Sequence, residues 1–581
     1  MTASFKAAAV QFEPHFGEKT RNLEALVALV EEAARNGARL ITTPEMGTTG
    51  YCWYDRTEVA PFVETIPGPS TDLFVELARR HDCYIVIGLP EVDKETNLYY
   101  NSAALIGPEG LVGVHRKTHP YISEPKWAAS GDLGHKVFET KIGRISMLIC
   151  MDIHFIETAR LAGLGGADVI CHVSNWLAER TPAPYWISRA YENGCYLIES
   201  NRWGLERGVQ FSGGSCIIGP EAEILDVVDG GDGIAYGIID PARSRQRQVA
   251  GEPVMQQRRP ELYMELMTNT FAWNPREFFR LYGHKPLADG RLGRIAVGEF
   301  TPSSDIDANL TLMVGLAEDA KAQGAELIVF PAFALTGLTN HRETATSNSH
   351  PAVQAIVELS ERLDISIIAG YAEASNEERF CSAVIARPGM PAATYRQIHL
   401  TEHEHAWATP GDEFCVLDLP LGRVGVMIGH DAAFPEAGRI LALRGCDLIC
   451  CPSSISDGFH LGHAGSSVSQ PDPIPAGPDP LHWHHYRVRA GENNCYFAFS
   501  NTKTAGNKTA GLSGIFGPDT FAFPRKEAIL QDGYLAVAPI DLSSTHPTYP
   551  TNVARRKDLV LMRQPHHYLP LVMPDVKTDT Q

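Results

Sequence analysis

Cysteine is scarce, with 12 in 581 residues. That is too few for a chain held together by disulfides, and Cys450 and Cys451, being neighbours, are badly placed for a bridge. Free thiols in a reducing cytoplasm are expected. No apolar run is long enough to span a bilayer. The opening MTASFKAAAVQFEP lacks the basic, apolar and cleavable parts of a signal peptide, so neither a membrane span nor a secretory leader is expected. Positive charge is also short: 50 Lys and Arg stand against 69 Asp and Glu, for a formal net charge of -19. This argues against nucleic acid or an anionic membrane as the main partner. No P-loop or dinucleotide fingerprint is present, so no nucleotide cofactor is implied. The His-rich pieces HWHHY (His482–Tyr486) and QPHHY (Gln564–Tyr568) have no Cys or acidic partners at ligand spacing, so no metal is expected either. What remains is an ordinary globular composition, 44% hydrophobic and 20% charged, in a chain long enough for roughly two to four domains.

The chain repeats itself. Asn22–Gly50, NLEALVALVEEAARNGARLITTPEMGTTG, aligns without a gap with Asn309–Gly337, NLTLMVGLAEDAKAQGAELIVFPAFALTG. Lys117–Asp132 aligns with Gln397–Asp412, which places Glu124 on Glu404, Trp127 on Trp407 and Gly131 on Gly411. Gly143–Ile170 aligns with Gly422–Ile449, and RAYENGCY (Arg189–Tyr196) with RAGENNCY (Arg489–Tyr496). Ordered blocks of this length do not align by chance. The second copy carries an insertion around Gly462–Pro480, whose Gly, Ser and Pro content reads as a surface loop. We expect one domain over residues 1–267, a linker over 268–291 with a short helical piece, and a second domain over 292–581. Within each copy apolar strand-like runs (LITTP, YIVIGLP, ISMLIC, DVICHVS) alternate with amphipathic helical stretches, an α/β pattern.

A duplication is an internal control. Side chains kept in both copies read as scaffold, and reactive ones kept in a single copy read as chemistry. Glu45 becomes Ala332, Lys117 becomes Gln397 and Cys150 becomes Gly429. A carboxylate, an ammonium and a thiol are what thiol-based acyl transfer needs: a base for the thiol proton, a cation for the oxyanion, and a nucleophile. Glu45 and Cys150 each follow an apolar strand, at the carboxyl end where α/β sheets place their sites. Taken alone, Cys150 would read as a small buried hydrophobe, Glu45 as a turn cap and Lys117 as a surface charge; together, and lost together, they read as a site. By the same logic Cys195/Cys495, Arg189/Arg489, Glu192/Glu492, Asn201/Asn501 and Asp152/Asp431 read as scaffold, and Glu124, kept as Glu404, as an orienting or structural group. His154 becomes Ala433, which leaves a substrate-side role open.

Here a resemblance becomes specific. PEMGTTGY (Pro44–Tyr51), HRKTHPYISEPKW (His115–Trp127) and ICMDIHFIETARL (Ile149–Leu161) resemble the three catalytic blocks of the nitrilase superfamily of carbon–nitrogen hydrolases, and RRPELY (Arg258–Tyr263) resembles the family's terminal segment. The resemblance implies two αββα sandwiches, the first with Glu45, Lys117 and Cys150 as its catalytic triad and Glu124 orienting the lysine, the second disabled. It implies a substrate pocket bordered by Tyr51, Trp53, Met151, Asn175 and Trp176, the last two of which become Ser454 and Ile455 in the second copy. Cys150-Met151-Asp152 resembles the amidase and carbamoylase branches, where true nitrilases commonly have Cys-Trp-Glu. The expected reaction is hydrolysis of a small amide to acid and ammonia through a thioester; nitrile and N-carbamoyl hydrolysis stay open as alternatives. A glutaminase module for a synthetase is opposed by the lack of an ATP-binding domain. A non-catalytic binding protein suits the second copy but leaves an intact triad idle in the first. Family members associate through the helix after the nucleophile. This leads us to expect an intrachain pseudo-dimer built on about Ile156–Gly165 and Pro435–Arg444, with further homo-oligomerisation open.

Overall fold

The computed structural model describes residues 3–177, 181–246, 248–249, 251–270, 283–287, 289–455, 481–503, 512–519, 527–530, 532–543 and 552–574. Most of the expected linker and the insertion of the second copy lie outside the described residues. By its contacts the chain forms two units. The first runs to Met255 and takes in the tail from His566; the second holds the described residues between Gln256 and Pro565.

The first unit is an αββα sandwich. One six-stranded sheet runs in the order Gly233–Ile239, Phe5–Gln11, Ala38–Thr42, Tyr84–Val92, Tyr99–Gly107, Gly110–Arg116. The other runs Ile224–Val227, Cys216–Ile218, Tyr196–Asn201, Val169–Ser174, Gly143–Ile149, Val137–Thr140. The central strands of each sheet pair in parallel and the outer ones antiparallel. Central strands are buried along nearly their whole length, which is why Tyr84–Val92 and Val169–Ser174 read as almost unbroken apolar runs. Helices Lys19–Arg35 and Pro69–His81 cover the first sheet; Ile156–Leu164 and Pro184–Asn193 cover the second. Lys19–Arg35 buries Asn22, Leu26, Val30 and Ala33, a single stripe at helical spacing facing the sheet. Its core with Phe74, Ile85, Ile87 and Ala104 is buried and apolar.

The second unit repeats this architecture. Its sheets run Met390–Arg396, Glu378–Arg387, Ser366–Ser375, Leu327–Val329, Leu292–Gly298, Leu535–Asp541, and Cys415–Leu419, Gly422–Val426, Leu448–Pro452, Tyr496–Ser500, Gly514–Phe516, Glu527–Ile529.

The end of each repeat is built into the unit formed by the other. Within the second unit Arg258 Nε donates to Glu436 Oε1 at 2.9 Å, the Tyr263 hydroxyl and His399 Nε2 share a 2.6 Å hydrogen bond, and Arg259 Nη1 donates to the Gly411 carbonyl at 3.1 Å. Within the first, Leu569–Val572 packs on helix Ile156–Leu164, with Leu571 and Val572 buried. Among the described residues no helix is long and apolar enough to cross a membrane.

Candidate active site

Three strand ends bring the expected residues together in the first unit. Glu45 stands in the tight turn after Ala38–Thr42. The next residue, Met46, takes a left-handed φ of 52°, and the turn lies so close to the neighbouring strand that a Cβ on Gly88 would meet Glu45 Cα at 2.7 Å. Only glycine permits that approach. Lys117 follows strand Gly110–Arg116, its position fixed by backbone bonds from Lys117 N–H to the Asn101 carbonyl and from Gly131 N–H to the Lys117 carbonyl, both 2.8 Å. Cys150 begins a 3-10 turn at the end of Gly143–Ile149, with a φ of 44°. A left-handed cysteine is strained by about 1–2 kcal/mol relative to the right-handed conformation, and such strain persists where surrounding structure imposes it.

Lys117 is fully buried between two carboxylates. Its Nζ donates to Glu45 Oε1 and to Glu124 Oε1, each at 2.7 Å. Asn101 Nδ2 bridges the same two oxygens at 2.6 and 3.1 Å. Glu124 Oε2 accepts from the Tyr121 N–H at 2.9 Å and so caps its own turn. Burial works against the charge on Lys117, but Glu124 and Glu45 outweigh it and hold the ammonium well above its ordinary range. Burial raises Glu45, against the pull of Lys117. Burial and then Glu45 push the Cys150 thiol well up, with Lys117 pulling the other way. The resting site therefore holds a neutral thiol beside an ammonium. Glu45 Oε2 has no hydrogen-bond partner among the described residues.

The other expected site residues divide. Tyr51 is buried and feels Glu124, Glu45 and Cys150, which together with burial raise its hydroxyl far above its ordinary value. The Asn175 N–H faces the Cys150 sulfur, and both polar atoms of its side-chain amide are buried without a partner among the described residues. Trp176 stacks on His154, centroids 4.7 Å apart and planes 7° apart, and meets Trp186 edge-on at 5.3 Å; His154 also packs on Tyr185 at 4.4 Å. Met151 is buried in the turn after Cys150. Trp53 is set in an apolar cluster against Phe16 and Phe62 at 4.3 and 4.8 Å, with its indole N–H donated to the Gly50 carbonyl. Residues 178–180 lie outside the described residues.

Asp152 is a hub. It accepts from the backbone of Ile149, Thr118 and His119, from the Thr118 hydroxyl, and from the rings of His115 and His119, all at 2.8–3.1 Å. Asp431 does the same with Ile428, Ile398, His399 and the Tyr395 hydroxyl. The buried pairs Arg189–Glu192 and Arg489–Glu492 have the same 2.6 Å separation in both units.

Sequence reasoning missed Asn101. The counterpart of Asn101 in the second unit is Cys381, since Ser102 and Ser382 hold the same register against Arg116 and Arg396. The duplication carried that signal, but this strand lies outside the blocks of evident internal similarity.

A carbon–nitrogen hydrolase family model matches residues 6–248 and again 294–547. A nitrilase of Pyrococcus abyssi is 39% identical over 223 residues, spanning 38% of this chain and 84% of its own length. An omega-amidase of Bos taurus is 28% identical over 278 residues, 45% of this chain and 97% of its own. A citrullinase of Francisella tularensis is 29% identical over 286 residues, 46% of this chain and 99% of its own.

Proposed function

The chain belongs to the carbon–nitrogen hydrolase family, and from its buried Glu45–Lys117–Glu124 cluster beside a neutral Cys150 thiol we propose that the first repeat hydrolyses a small amide to a carboxylic acid and ammonia. Catalysis is confined to residues 1–267; residues 268–291 form the linker and 292–581 a repeat that no longer catalyses.

The observation that carries this reading is the lysine held between two carboxylates. With a resting thiol, attack needs a base, and Glu45 Oε2 is the oxygen left for it. Glu45 takes the proton from Sγ as the sulfur adds to the amide carbon, and the Lys117 ammonium stabilises the oxyanion. Glu45 returns that proton to the nitrogen, the C–N bond breaks and ammonia leaves a thioester on Cys150. Water then adds to the thioester, giving its proton to Glu45; the C–S bond breaks, the proton returns to sulfur and the acid departs. Glu124 and Asn101 hold the lysine and Glu45 in place through both halves.

Nitriles and N-carbamoyl compounds can use the same three groups. The test is a panel of matched amides, nitriles and N-carbamoyl derivatives, with mass analysis of the Cys150 peptide during turnover. Ammonia release from the amide with an acyl adduct on Cys150 is the expected result. Turnover of the nitrile alone, or an adduct elsewhere, overturns the proposal.

A further inference from the structure

Beneath Cys150 lies a buried ionisable pair that the reaction above does not use. His172, on strand Val169–Ser174, stands in register with Glu199 on the parallel strand Tyr196–Asn201. Both side chains are fully buried, and His172 Nδ1 is hydrogen-bonded to Glu199 Oε2. The other ring nitrogen, Nε2, lies 3.0 Å from the Cys150 carbonyl oxygen. A carbonyl only accepts, so Nε2 carries the proton and donates it. The Ser174 hydroxyl donates to Glu199 Oε1.

The second repeat supplies the control. In the same register it has Cys451 opposite Phe499. Ser453 and Asn501 remain, and the Ile455 N–H donates to Asn501 Oδ1 at 2.8 Å as the Trp176 N–H does to Asn201 Oδ1. The strand-end scaffold is therefore retained while the imidazole and carboxylate are gone. The backbone at the nucleophile position is unchanged, with φ 44° at both Cys150 and Gly429. Glycine adopts that conformation without strain; cysteine does not.

We infer that His172 and Glu199 are a positioning pair that clamps the carbonyl of Cys150 and holds the strained nucleophile turn in its reactive geometry. Glu199 orients the ring, and the ring fixes the plane of the Cys150–Met151 peptide, whose carbonyl and N–H point opposite ways. Fixing that plane fixes where Cβ and Sγ project. Where glycine replaced cysteine, neither strain nor sulfur remained to be held, and both members of the pair were replaced. The inference rests on Cys150 as the nucleophile.

The test uses the full chain and three variants: His172→Phe, His172→Gln, and the pair His172→Cys with Glu199→Phe, a combination the second repeat already accommodates. Three quantities are read: kcat and KM on an amide, the iodoacetamide alkylation rate of Cys150 by peptide mass, and the thermal midpoint. Misplacement of a reacting group by about 1 Å costs on the order of 10²-fold, so His172→Phe and the pair are expected to lose about that much kcat with KM within about threefold. Cys150 alkylation is expected to change by about tenfold or more, and His172→Gln, which keeps a donor near the Nε2 position, to recover most of both. Unchanged kcat and alkylation in the pair, a rise in KM alone, or equal losses in Phe and Gln variants overturn the clamp. Alkylation reports the placement of Cys150 whatever the substrate. A chain that hydrolyses no amide yet shows this alkylation pattern therefore upholds the clamp and overturns the amidase reading.

Discussion

In both repeats a strand ends in a short 3-10 turn whose first residue has a φ of 44°. In the first that residue is Cys150, and in the second it is Gly429. Both turns are tied to an aspartate hub, both units carry a buried Arg–Glu pair, and the sheets run in the same order. Around the first turn lie Glu45, Lys117, Asn101, His172 and Glu199; the matching positions hold Ala332, Gln397, Cys381, Cys451 and Phe499. Glu404 persists, but with the lysine gone it accepts from Gln397 Nε2 at 3.1 Å and caps the Thr401 N–H at 2.8 Å. Fold and chemistry have thus come apart along one line. The aspartate hub and the buried Arg–Glu pair are retained, whereas the residues packed around the Cys150 turn, Glu124 apart, are not.

The largest effect is expected from removing the Cys150 sulfur. Cys150→Ala should lower amide turnover by about 10⁴-fold or more, with Glu45→Gln and Lys117→Ala near the same floor, since groups acting as a unit are not additive. Steady-state ammonia release checks this, and substantial residual turnover in Cys150→Ala would mean that the second repeat, or another thiol, does chemistry. The converse is to rebuild the second site by Ala332→Glu, Gln397→Lys and Gly429→Cys in the Cys150→Ala background. Space is not the obstacle, because a Cβ on Gly429 would have no neighbour within 4 Å among the described residues. The supporting Asn, His and Glu are missing, however, so restored activity below about 1% of wild type is expected, because catalytic groups need placement to within about 0.5 Å. Full activity in this variant would falsify the view that the second repeat has lost more than its triad.

These comparisons also show what could be read from the sequence. Glu45, Lys117 and Cys150 were legible because each is ionisable in one copy and inert in the other, within blocks that align without gaps. The strand–helix alternation was legible because central strands buried on both faces are continuously apolar. His172 was hidden for a physical reason. It sits in DVICHVS, an apolar run whose strand character is plain while the partner of a single buried histidine is not, since Glu199 becomes its neighbour only through parallel pairing. The exchange of terminal segments was hidden as well. RRPELY has the pattern of a domain's last segment, but nothing local states that Arg258 finds its carboxylate at Glu436.

A smaller effect is expected at Asn101, whose amide donates to both carboxylates. Asn101→Ala should lower kcat by about 10–100-fold through loss of placement. It should also move the pH profile. Glu45 must be ionised to accept the thiol proton, so kcat/KM rises as pH climbs through its pKa. Burial already lifts that pKa above the usual carboxylate value, and the Asn101 hydrogen bond opposes the lift. Removing the bond raises it further, so the acid limb should shift to higher pH. The lysine, held far above its ordinary range by Glu124 and Glu45 against its burial, should not set the alkaline limb below the usual lysine region. A profile whose acid limb is unmoved in Asn101→Ala would separate the asparagine from Glu45.

The smallest effect concerns the backbone and isolates strain from chemistry. Gly429→Ala inserts a methyl group that meets nothing within 4 Å among the described residues, at φ 44°, so the expected cost is conformational. A left-handed alanine costs roughly 1–2 kcal/mol, of which roughly 0.4–1 kcal/mol is returned because alanine restricts the unfolded chain more than glycine does. The net destabilisation is about 1 kcal/mol, near 2 °C for a unit of this size. The first repeat should show the same order: Cys150→Gly should be more stable than Cys150→Ala by about the same amount, both variants lacking the sulfur. Calorimetric scans of the full chain, reading the transition of the unit that carries each change, provide the measurement. If Gly429→Ala is neutral while Cys150→Gly gains stability over Cys150→Ala, the second turn carries some constraint of its own and the two elbows are not equivalent. If neither moves, left-handed backbone at Cys150 is not a store of strain, and the reason for clamping its carbonyl with a buried histidine must lie in aiming the sulfur alone.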